Sequence, residues 1–404
     1  MYLEKLKLYS LLSVALLISS GPAIAANTPA IVKDFPTITS THAGLLTTIP
    51  SLFVILGVLI ANQVEFWIGK KKTILMGIGL VFISGIFPAL KNDIFSLLFL
   101  SRCFFGLGIG LFNRLIIQMI SDLYHNNPSK RAKVIGMESS FEGLGGICLT
   151  LLVGQLLKFS WHASFWVYAI GLPIFLTFLF FVPNDNQIEE KNVENKTKAS
   201  DSSGDRKSYG LVIGFGLLLL VVVTIFINYN IQITPLILEK NIGNATNGSN
   251  VIAFIGLGAF VAGLVFGKVF KLLKGYTMPV SLLLLGVFMY VTTISENIIL
   301  TTFCSMVIGF AFRSIMPYLL HTFTQQTAEI AKLGTTIVLI AYNIGATVSP
   351  YEETFFFHLL NINNIQSLVS INAILILLIS VIGLVSVFIK RRRESEKHLQ
   401  AEKR

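Results

Sequence analysis

The chain has 404 residues, 53% of them hydrophobic and 13% charged, with a net charge of +10 and a mean hydropathy of +0.74. A soluble chain would carry about 25% charged residues, and here the apolar residues come in blocks of about 20, long enough to cross a bilayer as helices. These values exclude a soluble globular domain and imply an all-α protein that crosses the membrane many times.

The N-terminal stretch MYLEKLKLYSLLSVALLISSGPAIAA has a basic start, an apolar core and an Ala-Ile-Ala site, as a signal peptide would. Removing it would leave an odd number of spans. The reading adopted is an uncleaved first helix over about 6–30, bent near Gly21-Pro22. The second span covers about 42–66 and the third 73–92, with a turn at Asn92-Asp93. The fourth (95–122) and fifth (133–158) are rich in glycine. The sixth follows Ser160-Trp161-His162 and ends near Pro183. Residues 184–208 are polar, charged and without period, which reads as a flexible linker. Six more spans are expected at 209–236, 249–272, 277–296, 298–322, 333–357 and 366–389. The expected organisation is a first six-helix half (1–183), the linker, a second half (209–390) and a basic tail (391–404).

Most of the 31 Lys and Arg fall in one set of alternate loops and the termini, as at Lys70–Lys72, Lys130–Lys133, Lys268–Lys274 and Lys390–Arg393. Lys33, Lys91, Lys158 and Lys240 fall in the opposite set. By the positive-inside rule both termini are cytoplasmic, and the net charge belongs to membrane orientation, not to nucleic acid. Cys103, Cys148 and Cys304 read as small packing residues inside spans. The six histidines show no metal-ligand spacing, and no Gly-Lys-Ser/Thr phosphate loop is present, so neither metal nor ATP is implied. Asn244-Ala-Thr246 and Asn247-Gly-Ser249 are glycosylation sequons by pattern; the compact layout reads as bacterial, a protein of the cytoplasmic membrane. It is expected to be a monomer.

The two halves form a repeat. At one constant offset Gly110 falls on Gly309, Arg114 on Arg313, Ala132-Lys133 on Ala331-Lys332 and Gly146 on Gly345. Such pseudo-symmetric halves, joined by a linker, suit alternating access around a central site near mid-membrane.

The ionisable residues within spans mark function by default. Arg114 and Glu142 lie at nearly equal depth, roughly 12–14 Å from the basic end of their helices, so antiparallel neighbours could bring them together. Either they couple protons or they form a permanent pair that fixes helix register. Glu138 lies one turn below Glu142 and reads as near the inner interface. Arg102 reads either as a functional charge within the span or as a side chain reaching for the outer boundary. The glycines at 106, 108, 110, 143, 145 and 146 read as close helix packing. Glu352 and Glu353 fall at the outer end of the eleventh span, where they should meet water. Expected cavity residues are Arg313, Asn113, Asn228, Tyr229, Asn230, Gln232, Tyr342 and Asn343.

Over essentially the whole length the sequence resembles the major facilitator superfamily. The fourth span, Leu100-Ser101-Arg102-Cys103-Phe104-Phe105-Gly106, is similar to that superfamily's conserved-Arg motif; the resemblance implies a proton-coupling role for Arg102. The loop Ile68-Gly69-Lys70-Lys71-Lys72 resembles its gating loop. There Phe66 stands where an acidic residue is expected, with Glu65 beside it, and Asn62 stands where a glycine is expected. The fifth span resembles the glycine-rich antiporter motif of drug exporters without its Gly-Pro pair.

Three functions follow as expectations. The first is a proton-coupled exporter of small amphipathic or cationic compounds, with Glu142 carrying the proton, Glu138, Arg102 and Arg114 modulating it, and the proton gradient as energy source in place of a cofactor. The second is a carrier of organic anions clamped by Arg114 and Arg313. The third is a membrane sensor or lipid-handling protein that transports nothing. None is an enzyme.

Overall fold

The structure, a computed structural model, describes residues 2–90, 93–124, 127–182, 206–324 and 328–402. Lys91, Asn92, His125 and most of the expected linker lie outside the described residues. Among the described residues every regular element is helical.

The first span is not one bent helix. It consists of α1 (Tyr2–Ala15), a 3-10 segment at Gly21–Asn27 and α2 (Thr28–Asp34), with prolines opening both later pieces. Then come α3 (Ser40–Ile68), α4 (Lys70–Leu90), α5 (Phe95–Leu123) and α6 (Pro128–Leu156). The sixth span is also broken, into α7 (Trp161–Ser164), a 3-10 segment at Phe165–Ile170 and α8 (Gly171–Phe181). Six helices follow: α9 (Arg206–Glu239), α10 (Ala245–Leu273), α11 (Thr277–Ile294), α12 (Ile298–Thr324), α13 (Ala328–Leu360) and α14 (Ile365–Glu402).

Among the described residues, ten stretches are long and apolar enough to cross a membrane. One of them, Ala245–Ile294, has 50 residues and would run about 75 Å as a single helix; it is broken at Lys274, where φ is +49°. It therefore supplies two spans. With the broken first span added, the count is the expected twelve. Side-chain caps explain several helix starts: Thr39 accepts from His42 N ahead of α3, Asn127 from Lys130 N ahead of α6, and Asn244 and Asn247 form a reciprocal capping box on α10. Both sequon asparagines are thus engaged in a cap, and Ser249 of the second sequon is buried.

Two hydrophobic cores form. One gathers residues between Leu11 and Val182, with Phe105, Phe112 and Tyr168 fully buried. The other gathers residues between Val212 and Ile376 and takes in Ala25 and Ala26 of the first span. The same glycine device appears in both. A Cβ on Gly57 would lie 2.8 Å from Gly110 Cα, and one on Gly110 would strike Val54 O. Correspondingly, a Cβ on Gly258 would strike Met306 O and one on Gly309 would strike Ile255 O. So α3 crosses α5 backbone to backbone, and α10 crosses α12 in the same way, with Gly110 and Gly309, which the sequence repeat superposes, at the two crossings.

The cores meet along α6–α10, along α3–α13, and where the 3-10 segment of the first span touches α9 and α10. Contact between α6 and α10 runs from Gly154 against Ser249, through Gly256 against Ile147, to Gly143 against Phe260. Beyond that point, toward the Lys- and Arg-rich loops, Gly136, Gly263 and Gly267 face open space. The body is closed on the face away from the basic loops and open toward them.

Gly110→Val should lower stability by about 1–3 kcal/mol through overpacking, whereas Gly214→Val, where an added Cβ meets nothing within 4 Å, should not. Thermal unfolding of the two detergent-purified variants checks this.

Candidate functional site

A cavity of about 220 Å³ lies between the two cores. Ser19, Thr47, Thr48, Ser51, Glu142 and Thr150 line it from the first core, and Phe226, Asn230, Phe260, Phe312, Arg313 and Tyr342 from the second. Phe226 and Phe312 stack with ring centroids 3.6 Å apart and planes 5° from parallel. The wall mixes apolar and aromatic side chains with hydroxyl and amide groups, and sets one carboxylate and one guanidinium on opposite sides, as small-molecule sites commonly do.

Glu142 sits there because the first span is unwound. Gly145 has no Cβ, so the backbone of Leu16 lies directly on α6. That contact brings Ser19 to the wall, where its Oγ donates to Glu142 Oε1 at 2.7 Å. Arg114 does not join it. Among the described residues the ion pairs are both made by Lys70, and Arg114 is exposed on α5 and does not line the cavity. The two are not neighbours: α5 packs on α3 and α4, while α6 leaves it to pack on α10. Glu138 is buried one turn away, outside the cavity wall, with Ser139 Oγ donating to it at 3.4 Å. Arg313 does line the cavity, so the two arginines that the repeat superposes do not enclose it together.

Arg102 is 0% exposed and reaches no boundary. Its Nε donates to Leu46 O at 2.9 Å and an η nitrogen donates to Gly21 O at 3.0 Å. Leu46 lies four residues before Pro50, which has no N–H, so the helix itself leaves that carbonyl unpaired. The guanidinium also lies 4.2 Å from the Phe105 ring centroid and 5.5 Å from that of Tyr168, and Tyr168 OH donates to Ser20 O. Arg102 thus ties α5 to the proline kink of α3 and to the break in the first span.

The remaining expected cavity residues divide. Asn230 and Tyr342 line the wall. Asn228 donates to Ser349 O at 2.9 Å and Gln232 to Glu353 Oε2 at 2.8 Å, so both are spent on α13. Tyr229 is buried within the second core against Ser305 Oγ, at 2.8 Å. Asn343 donates back to Leu339 O on its own helix. Asn113 is half-buried and lies off the wall. Glu352 and Glu353 do not meet water: they are 9% and 6% exposed. Cys148 is exposed, unlike Cys103 and Cys304.

The sequence profile of the Major Facilitator Superfamily matches residues 9–350. The chain belongs to the Major Facilitator Superfamily. No curated protein matches its sequence. Solved structures similar to it include a D-xylose–proton symporter, with TM-score 0.69 and 13% identity over 95% of this chain and 97% of that one. A peptide transporter POT in complex with sulfate has TM-score 0.68 and 14% identity, over 94% of this chain and 93% of that one. A POT family transporter in complex with 5-aminolevulinic acid has TM-score 0.68 and 14% identity, over 94% and 95%. These likenesses speak for the fold, and superfamily membership makes the chain a multi-pass membrane transporter.

At the loop that resembles the superfamily's gating motif, Gly69 has φ +85° and turns α3 into α4. Lys70 Nζ lies 3.6 Å from Glu65 and 2.6 Å from Asp122 Oδ2. Asp122, at the end of α5, is the principal acidic partner, and sequence reading missed it because the two lie far apart in the chain. Lys71 Nζ donates to Leu179 O. Ser19 of the unwound first span was missed too.

Arg102→Ala should lower stability by about 3 kcal/mol or more, since it strands two buried carbonyls, and Arg102→Lys should recover part of the loss. Thermal unfolding without any ion gradient measures it.

Proposed function

We propose that this protein is a proton-coupled secondary transporter that exports small amphipathic organic compounds by alternating access. The reading rests on one observation above all: Glu142 faces the central cavity, bonded to Ser19 and, among the described residues, paired with no cation. A carboxylate so placed exchanges protons with whichever side the cavity faces, and a cationic group in the cavity competes for the same oxygens. That competition is what exchange of a proton for a substrate requires. The stacked Phe226 and Phe312 offer the apolar surface for the rest of the substrate.

With the basic loops in the cytoplasm of a bacterial cell, the open face is the one from which an exporter loads. Both termini are then cytoplasmic, and the monomer is the transporting unit. Arg313 in the same wall favours a second reading, in which the substrate carries an anionic group held by the guanidinium alone, without Arg114. One structural neighbour is named as a proton symporter, so transport in the opposite direction is an outcome the test must separate.

In reconstituted vesicles under an imposed pH gradient, Glu142→Gln should abolish gradient-driven flux, and retained flux would reject the reading. Ligands at 100 times their dissociation constant should stabilise the purified protein by about 2.7 kcal/mol. Stabilisation by lipophilic cations that is lost in Glu142→Gln supports the first reading. Stabilisation by organic anions that is lost in Arg313→Ala supports the second. The sign of substrate movement relative to the proton distinguishes export from symport.

A further inference from the structure

We propose that Glu353 is the latch of the gate on the face away from the basic loops: a positioning residue that holds the two halves together while the cavity is open to the opposite face. The proposal rests on the transporter fold alone and stands whichever proton or substrate the cavity takes.

Glu353 lies on α13, one turn past Pro350. Its Oε2 accepts two hydrogen bonds: from Gln232 Nε2 of α9 at 2.8 Å, and from Ser40 Oγ, the first residue of α3, at 2.7 Å. The first bond stays within the second half and fixes the carboxylate; the second crosses to the first half. The crossing is continued on both sides of it. Thr41 and Thr354 bring their hydroxyls within 2.6 Å, and the missing Cβ of Gly44 leaves room for Pro350, which one would approach to 3.2 Å. Glu352, one residue earlier, is turned about 100° around the helix and lies beside Asn372 of α14, inside the second half. Of the two buried carboxylates, only Glu353 bonds across the seam.

This seam exists in one state. Opening that face moves α3 away from α13, and the Ser40 bond must break while the Gln232 bond, internal to one half, persists. Among the described residues the seam holds few such bonds, so the loss of this one shifts the balance between the two states.

The test uses full-length protein with Cys103, Cys148 and Cys304 replaced by Ser, carrying one reporter cysteine, in membrane vesicles of both orientations. Thr47→Cys, in the cavity wall below the seam, is labelled with a membrane-impermeant maleimide from the face away from the basic loops. Gly136→Cys, in the open region, is labelled from the basic face. Ser40→Ala and Glu353→Ala should each raise the first labelling rate and lower the second, moving their ratio about tenfold, as the loss of one hydrogen bond would. The double variant should move it no further than the larger single one. Glu353→Gln keeps an acceptor oxygen and should move it less than Glu353→Ala. Unchanged labelling in Ser40→Ala and Glu353→Ala would overturn the proposal. So would a rise at both reporters, which is the mark of loosened packing. Ser40→Ala removes a single hydroxyl and decides the question where Glu353→Ala fails to accumulate.

Discussion

Backbone polar groups have no water to turn to in hydrocarbon, so every break in a membrane helix must be met from within the protein. The guanidinium of Arg102 meets two of them. Pro50 releases the carbonyl of Leu46, the unwinding at Gly21 turns another carbonyl inward, and Arg102 bonds to both. That cation ties the broken first span to α3 and α5. With it, the unwound segment is held so that Leu16 lies on Gly145 and Ser19 reaches Glu142. The cavity's carboxylate is therefore positioned, through a short chain of contacts, by a buried arginine that never touches it.

The two halves solve the same problem with different chemistry. In the second half Pro350 releases the carbonyl of Ala346, and a neutral hydroxyl, Ser349 Oγ, donates to it at 2.9 Å. At the position that the repeat superposes on Arg102 stands Thr301, bonded to Ser295 and Asn297. The position that matches Asp122 holds His321, next to the Phe270 ring. The repeat preserves the backbone crossings at Gly110 and Gly309, while among the described residues the ion pairs lie in the first half. Pseudo-symmetry here is a property of helix packing, and the charges break it.

Much of the architecture was legible because hydropathy and charge placement are one-dimensional signals. Span number, the basic face and the glycine repeat all survive projection onto a sequence. What failed to project was azimuth. Depth along α5 and α6 can be counted at 1.5 Å per residue, but no count says that residue 114 points away from residue 142, or that consecutive helices in the chain part company in the bundle. The polar run Asn228-Tyr229-Asn230-Gln232 shows the same limit. Successive helical residues are about 100° apart, so a run cannot face one cavity. Asn230 does; Asn228 and Gln232, one turn apart, form a ladder with Ser349 and Glu353, themselves one turn apart. Glu352 and Glu353 were misplaced because nearness to a helix end suggests water, whereas a partner helix covers them.

That ladder bears on how the molecule can move. Its rungs join α9 to α13 inside one half, so those helices travel together, and the tie to the other half passes through a carboxylate already fixed by Gln232. On the open face Gly136, Gly263 and Gly267 meet nothing within 4 Å. Rocking of one half on the other breaks polar contacts that include Ser40 with Glu353, Thr41 with Thr354, and Ser249 with the carbonyl of Thr150. A seam held by a handful of such bonds, each contributing about 0.5–3 kcal/mol net, is weak enough for the differential binding of a ligand to reverse. The close glycine crossings within each half keep the halves themselves rigid while it does.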